Sequence, residues 1–427
     1  MNFKAIILGL FVFFLIAGAI AFATFRGGRG DATPISPVML WGTLSAREVN
    51  ALIQHIQIEL DTDFPVVYRE ISPDNFDREL VEALASGRGP DMIFLPQDLI
   101  MRHRDKLYAI PFESFSERDF LDRFIEEGEL YLSSSGSLAL PFAVDPLVLY
   151  WNRTLFANAG IAEPPRFWDE MLVLVSRLTE RDERGNITRS AIALGEFGNV
   201  THAKEIISAL IMQSGNPIVS GTSDAPNVVL TERLLAPEPP TAAALRFYTE
   251  FANPVKPTYS WNRSLPPSQS AFLAGDTALY IGFASELFEL REKNPNLNFD
   301  VAALPQIRGA TAEKTFGAMH GAAILKSSPN TTSGFQVLSI LTGQDVLKAW
   351  EGETGLPPVR RDLLSVPQTD AFRSVFYNSA LTADAFLDPS PSATGIIFRD
   401  MVENITSGRA DVSNVVQDAS ARLEQLF

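Results

Sequence analysis

Apolar positions along the chain fall into two alternating rhythms, short unbroken runs and runs spaced three and four apart. Val38 to Trp41 is an unbroken run stopped by Gly42, which predicts a buried strand. Behind a capping pair of Ser45 and Glu48, the next segment sets Val49, Leu52, Ile53, Ile56 and Leu60 on one helical face. Pro65 to Arg69 predicts a second strand. Asp74 opens a second helix with Phe76, Leu80, Ala83 and Leu84 inward, closed by Gly87. Asp91 to Leu95 predicts a third strand. Strand, helix, strand, helix, strand at this spacing implies a parallel sheet with helical crossovers.

The pattern turns at Leu140 to Arg153. A carboxylate, Asp145, stands just before an apolar, β-prone run from Leu147 to Trp151, and Pro164-Pro165 then leads into a helix with Trp168, Met171, Leu172, Val175 and Leu178 inward. A strand leaving one body of the protein for another has this form. Tyr150 and Trp151 read as core. Beyond it, strands are expected at Ala191–Leu194, Ala278–Ile281, Phe299–Leu304 and Ala322–Leu325. Helices are expected at Lys204–Gln213, Thr241–Phe251, Thr332–Leu341 and Gln344–Trp350, in part of Leu363–Asn378, and as a pair from Ile396 to Phe427 parted near Gly408.

In open α/β sheets, ligands bind beyond the carboxyl ends of the strands. Two loops of the first half qualify, Trp41-Gly42-Thr43 and Pro96-Gln97-Asp98. Trp41 reads equally as a core residue at its strand end, and Asp98 as the N-cap of the following segment. Phe283 follows the strand at Ala278–Ile281. His320 sits in the glycine-flanked stretch Gly317–Gly321, and Trp261 lies in the loop Tyr259–Asn262, where plain packing competes with a ligand role.

At 427 residues the chain exceeds one ordinary core, so two lobes are expected. A net charge of −16 disfavours nucleic acid and an anionic membrane face as partners. With no cysteine, disulfides and thiolate chemistry are excluded. Lys4 is followed by an uncharged apolar run from Ala5 to Phe25, long enough to span a bilayer. It reads as an uncleaved signal-anchor over residues 1–30. The alternative is a cleaved signal, for which Ala21-Phe22-Ala23 offers a site. Residues 31–37 complete a Gly/Pro/Ser-rich linker.

The four histidines, His55, His103, His202 and His320, show no metal-ligand spacing. There is no phosphate-cradling glycine loop, no dinucleotide fingerprint and no nucleophile elbow. No catalytic residue, metal or cofactor is expected.

The segment Tyr150-Trp151-Asn152-Arg153, Leu155-Phe156, Ala159-Gly160-Ile161, Pro164-Pro165 and Trp168-Asp169-Glu170 resembles the sugar-binding group of the extracellular solute-binding proteins of ABC importers, the group of the maltose-binding protein. Gly89-Pro90-Asp91, Ala271–Gly275, Leu304-Pro305 and Gly355-Leu356-Pro357 support it, and the resemblance runs from Val38 onward. It implies an α/β, two-lobe periplasmic-binding-protein fold of type II. Lobe 1 would hold residues 38–143 plus 321–373, and lobe 2 residues 144–320 plus 374–427. Crossings are implied near Ala143–Asp145, Phe316–Gly321 and Arg373–Asn378.

The resemblance further implies a small polar solute, most readily a sugar, as ligand, and an ABC permease as partner. It implies a monomer outside the cytoplasm, in the periplasm or at the cell surface, tethered by residues 5–25. Residue by residue, Asp98, Asp145, Glu196 and Phe197 match family ligand positions. Carboxylates accept paired sugar hydroxyls, and aromatic rings cover apolar sugar faces. The expected ligand set is Trp41, Thr43, Asp98, Asp145, Glu196, Phe197, Trp261, Phe283 and His320. Where the family's maltose binder stacks tryptophans, this chain has Leu95, Ala284 and Gly395, so its aromatic platform is thin. That thinness, with the uncleaved anchor, keeps open a sensor or adhesion module of the same fold not coupled to transport, and the plentiful carboxylates keep open a secreted glycosidase.

Overall fold

The computed structural model describes residues 35–59, 64–233 and 237–427. The apolar run Ala5–Phe25 lies outside the described residues. Among the described residues no helix is long and apolar enough to cross a membrane.

Fourteen strands are present among them. In chain order they are β1 (Val38–Gly42), β2 (Val66–Glu70), β3 (Met92–Pro96), β4 (Leu132–Ser133), β5 (Gly136–Ser137), β6 (Leu140–Asn152), β7 (Glu180–Arg181), β8 (Ile187–Ile192), β9 (Val219–Ser220), β10 (Asn227–Val228), β11 (Thr277–Phe283), β12 (Phe299–Ala303), β13 (Thr315–Ile324) and β14 (Ala383–Asp384). The main sheet runs β2-β1-β3-β13-β6-β11-β8-β7, with β12 also on β6 and β14 on β13. As the spacing predicts, β1 pairs in parallel with β2 and β3, through the helical crossovers Ala46–Glu59 and Pro73–Ala85. The first helix buries Val49, Leu52, Ile53 and Ile56, and the Glu70 carboxylate at the end of β2 accepts from the Ala46 N–H at 2.6 Å.

Two long antiparallel strands join the halves of the sheet. The first part of β6 pairs with β13, from Leu140↔Ala322 to Pro146↔Gly317. Its second part pairs with β11 on one side and β12 on the other. Tyr150 is fully buried there, stacked on Tyr280 with ring centres 5.9 Å apart and donating to the Phe283 carbonyl at 2.7 Å. Residues Arg373–Asn378, where a third crossing is expected, lie in the helix Ala371–Leu381, which packs against β6 and β12.

Three elements differ from expectation. The strand expected at Ala322–Leu325 begins earlier, at Thr315, and absorbs the Gly317–Gly321 stretch. Small residues there are demanded by close packing: a Cβ on Gly321 would meet the Tyr131 ring at 2.7 Å. The strand expected at Ala191–Leu194 spans Ile187–Ile192 instead, paired with β11 through Ser190 and Ile192. The helix after Pro165 starts with a 3-10 turn, Trp168–Glu170, and Glu170 Oε2 accepts from the N–H groups of Arg166 and Phe167. That carboxylate serves the helix start that Phe167 has no side-chain oxygen to cap.

Candidate functional site

A cavity of about 360 Å³ opens at the carboxyl ends of β1, β3 and β11, against the middle of β13. Thr43 follows β1, Asp98 follows β3, and Phe283 closes β11. All three line the cavity, together with His320 of β13. The opposite wall is the first turn of the helix Ala203–Gln213, through Lys204 and Glu205, and the loop carrying Phe386 and Asp388.

His320 lies on β13 where the β13–β6 register slips: β6 carries one unmatched residue, Phe142, between the pairs His320↔Ala143 and Gly321↔Pro141, and His320 lines the cavity. Its Nε2 lies 2.9 Å from Thr43 Oγ1. Desolvation by the surrounding protein lowers its pKa to about 4, so the ring is neutral at physiological pH. Gln97 fixes the neighbouring backbone. Its Nε2 donates to the Gly317 carbonyl at 2.6 Å, and its Oε1 accepts from the Met319 N–H.

Asp98 is half-buried, and no side chain among the described residues donates to it. Burial raises its pKa to about 6; Asp388 and Glu205 add to the rise and Lys204 opposes it. Lys204 is ion-paired with Asp388, whose Oδ1 also accepts from the Ser390 N–H at 2.9 Å and from Thr394 Oγ1 at 2.7 Å. Asp77, farther along the wall, is paired with Arg102 at 2.5 Å.

Phe283 is held from behind. The His202 ring meets it edge-on at 4.7 Å. His202 Nε2 lies 2.6 Å from Glu286 Oε1, and Glu286 Oε2 accepts from Gln269 at 2.7 Å and Tyr280 at 2.5 Å. His202 adopts φ 59°, a left-handed conformation rare for a side-chain-bearing residue. Burial works against its charged form, yet the bond to Glu286 and that group's charge hold its pKa above the ordinary value.

Of the nine residues expected from sequence, the structure brings Thr43, Asp98, Phe283 and His320 together. The other five do not line this cavity. Trp41 is buried, with the Arg69 guanidinium 4.5 Å above its ring. Trp261 is 1% exposed and packed into the core. Glu196 is buried beside Arg263 at 3.4 Å, and Phe197 packs against the main core. Asp145, on β6 opposite Ala318, accepts from the Ser285 N–H at 3.0 Å. Burial raises its pKa to about 6 against those Ser285 bonds. Lys204, Glu205 and Asp388 were not expected. The signals available for them were an adjacent charge pair opening an apolar helix, and an acid in a Pro/Ser loop. Among the described residues no cluster of His, Cys, Asp and Glu could hold a metal ion.

Residues 51–348 match the family described as bacterial extracellular solute-binding protein. A protein of Brucella abortus (strain 2308) named as a binding protein is 23% identical over 358 residues, covering 82% of each chain. The maltotriose-binding protein of Pyrococcus abyssi is 20% identical over 370 residues, covering 84% of this chain and 75% of its own. In fold, the chain is similar to the cyclic alpha-maltosyl-1,6-maltose binding protein from Arthrobacter globiformis. The TM-score is 0.73 at 16% identity, over 92% of this chain and 99% of that one.

Proposed function

Because the chain belongs to the bacterial extracellular solute-binding proteins, a family of binding proteins and not of enzymes, we propose that it captures a carbohydrate or similar polar solute outside the cytoplasm and delivers it to an ABC permease. The solute sits in the cavity between β3, β11 and β13. Lobe 1 comprises residues 38–143 plus 321–373, and lobe 2 residues 144–320 plus 374–427. The observation that carries the reading is the origin of the cavity walls. Thr43 and Asp98 from the first hundred residues meet Lys204, Phe283 and Asp388 from far along the chain around one cavity; under the proposed lobe bounds the two sets fall on opposite lobes. A ligand touching both is bound more tightly when they approach, and hinge closure about β6 and β13 follows.

The chemistry suits a polyol. Asp98 and Glu205 accept hydroxyl bonds, Thr43 both donates and accepts, and Phe283 and Phe316 give apolar walls. Asp145, on β6 opposite Ala318 of β13, responds to closure through its bond to Ser285. The sugars named for the maltotriose and maltosyl-maltose binders fit this class. The segment Ala5–Phe25 tethers the body to the membrane.

A thermal-shift panel of mono- and oligosaccharides, sugar phosphates and peptides against the purified protein tests the reading. A solute at a hundred times its Kd stabilises by about 2.7 kcal/mol, which shifts Tm by several degrees. At least one carbohydrate is expected to do so, and stabilisation by none of them would overturn the proposal.

A further inference from the structure

Resting on that reading of the cavity, we infer that the solute is a polyol bearing a primary amine, of the amino-sugar class, with its ammonium held between Asp98 and Glu205. The inference comes from the balance of charge on the cavity wall. Four carboxylates line it: Asp77, Asp98, Glu205 and Asp388. Two are already matched, Asp77 by Arg102 and Asp388 by Lys204. Asp98 and Glu205 form no ion pair with a described residue. Lys204 and His320 are the remaining basic groups of the wall. Lys204 is committed to Asp388, and His320 is neutral with its Nε2 on Thr43. The empty-handed wall therefore carries two negative charges in a confined, partly apolar space.

The strain of that arrangement is felt at Asp98, whose charged form is disfavoured by burial and by Asp388 and Glu205. Lys204 opposes that effect without cancelling it, and Tyr131, which also faces Asp98, stays neutral, its pKa raised well above 10 by burial. A neutral hydroxyl can donate to such a carboxylate but brings no compensating charge. An ammonium donates up to three bonds and removes the repulsion, and a charge-assisted bond is roughly twice as strong as a neutral one. Lys204 shows the wall accommodating one amine in this way, 5.8 Å above the Phe386 ring and on Asp388. The ligand supplies the second.

Calorimetric titration of the purified protein with glucosamine and galactosamine, each beside glucose, galactose and the N-acetylated sugar, tests this. The amine is expected to bind at least tenfold tighter than its hydroxyl and acetamide counterparts at neutral pH. That advantage should shrink as pH falls through about 6, where Asp98 takes up a proton while the ligand amine stays charged. In Asp98→Asn and Glu205→Gln, which also lose hydroxyl acceptors, binding of both sets should weaken, but the ratio of amine to neutral-sugar affinity should collapse toward parity. Equal or tighter binding of the neutral sugars overturns the inference and leaves the solute-binding reading standing. Binding of neither set overturns the inference, and the solute-binding reading falls with it only where the broad thermal-shift panel also shows no stabilisation.

Discussion

The carboxyl of Glu127 occupies the space that a side chain at residue 317 would need: a Cβ on Gly317 would lie 1.9 Å from Glu127 Oε2. Glu127 is 1% exposed, and neither of its oxygens has a hydrogen-bond partner among the described residues. From the other side Gln97 holds the Gly317 carbonyl. The strand is gripped at this residue, and the acid has no route to solvent. Gly317→Ala is expected to cost about 2–3 kcal/mol by overpacking. Adding Glu127→Ala should return part of that cost, giving a coupling energy well outside error in a urea-unfolding double-mutant cycle. Strict additivity would show that the contact does not limit the strand.

The same acid gives stability a pH slope. Burial, with Asp384 and Asp145 nearby, raises the Glu127 pKa well above 4.5. The folded chain keeps the proton that the unfolded chain releases. Its contribution is thus fully present below about pH 4.5 and is lost as pH climbs toward the folded value, by up to about 1.4 kcal/mol per pH unit. Glu127→Gln should flatten that slope in urea midpoints taken at pH 4, 6 and 8. A variant that follows the parent at all three would contradict the assignment.

His320 works with the opposite sign. Its folded pKa is lowered to about 4 from 6.5 by desolvation. The stability linked to the neutral ring is present above pH 6.5 and is lost as pH falls toward about 4, by on the order of 3 kcal/mol. His320→Asn should remove this component and shift acid unfolding to lower pH, followed by circular dichroism. An unshifted acid midpoint would count against a neutral, desolvated imidazole.

Two rings expected at the site separate on stability. Trp261 is packed into the core, so Trp261→Ala should cost about 3–5 kcal/mol. Phe283 lines the cavity. Phe283→Ala should cost less in urea unfolding and weaken ligand-induced thermal stabilisation more. A reversed ranking would return Trp261 to the ligand wall.

The parts legible in the sequence were those with local causes. The unbroken runs at Val38–Trp41 and Asp91–Leu95, with amphipathic helices between, specify the parallel ladder, because period and length alone distinguish these elements. Strand-end position then led to Thr43, Asp98 and Phe283. The aromatic choices fared differently: Trp41 and Trp261 carry the same apolar character whether they face a core or a ligand, and only tertiary packing decides. Lys204 and Asp388 meet from 184 residues apart, and no spacing rule reports such a pair. The glycines of Gly317–Gly321 look like a loop in isolation. They form a strand because Glu127 and Tyr131 fill the room their side chains would take.

The slip in register that leaves Phe142 of β6 unmatched between His320 and Gly321 of β13 has a mechanical consequence. Two hydrogen-bonded strands resist sliding past each other, since every ladder bond would break at once. They fold more readily across the ribbon, most of all where one residue is already out of step. Were the ribbon to bend at this point, the imidazole of His320 would move relative to Thr43, and the 2.9 Å between those two groups would change with it. A fluorophore pair or a nitroxide label placed on either side would read the posture of the whole body from one peptide.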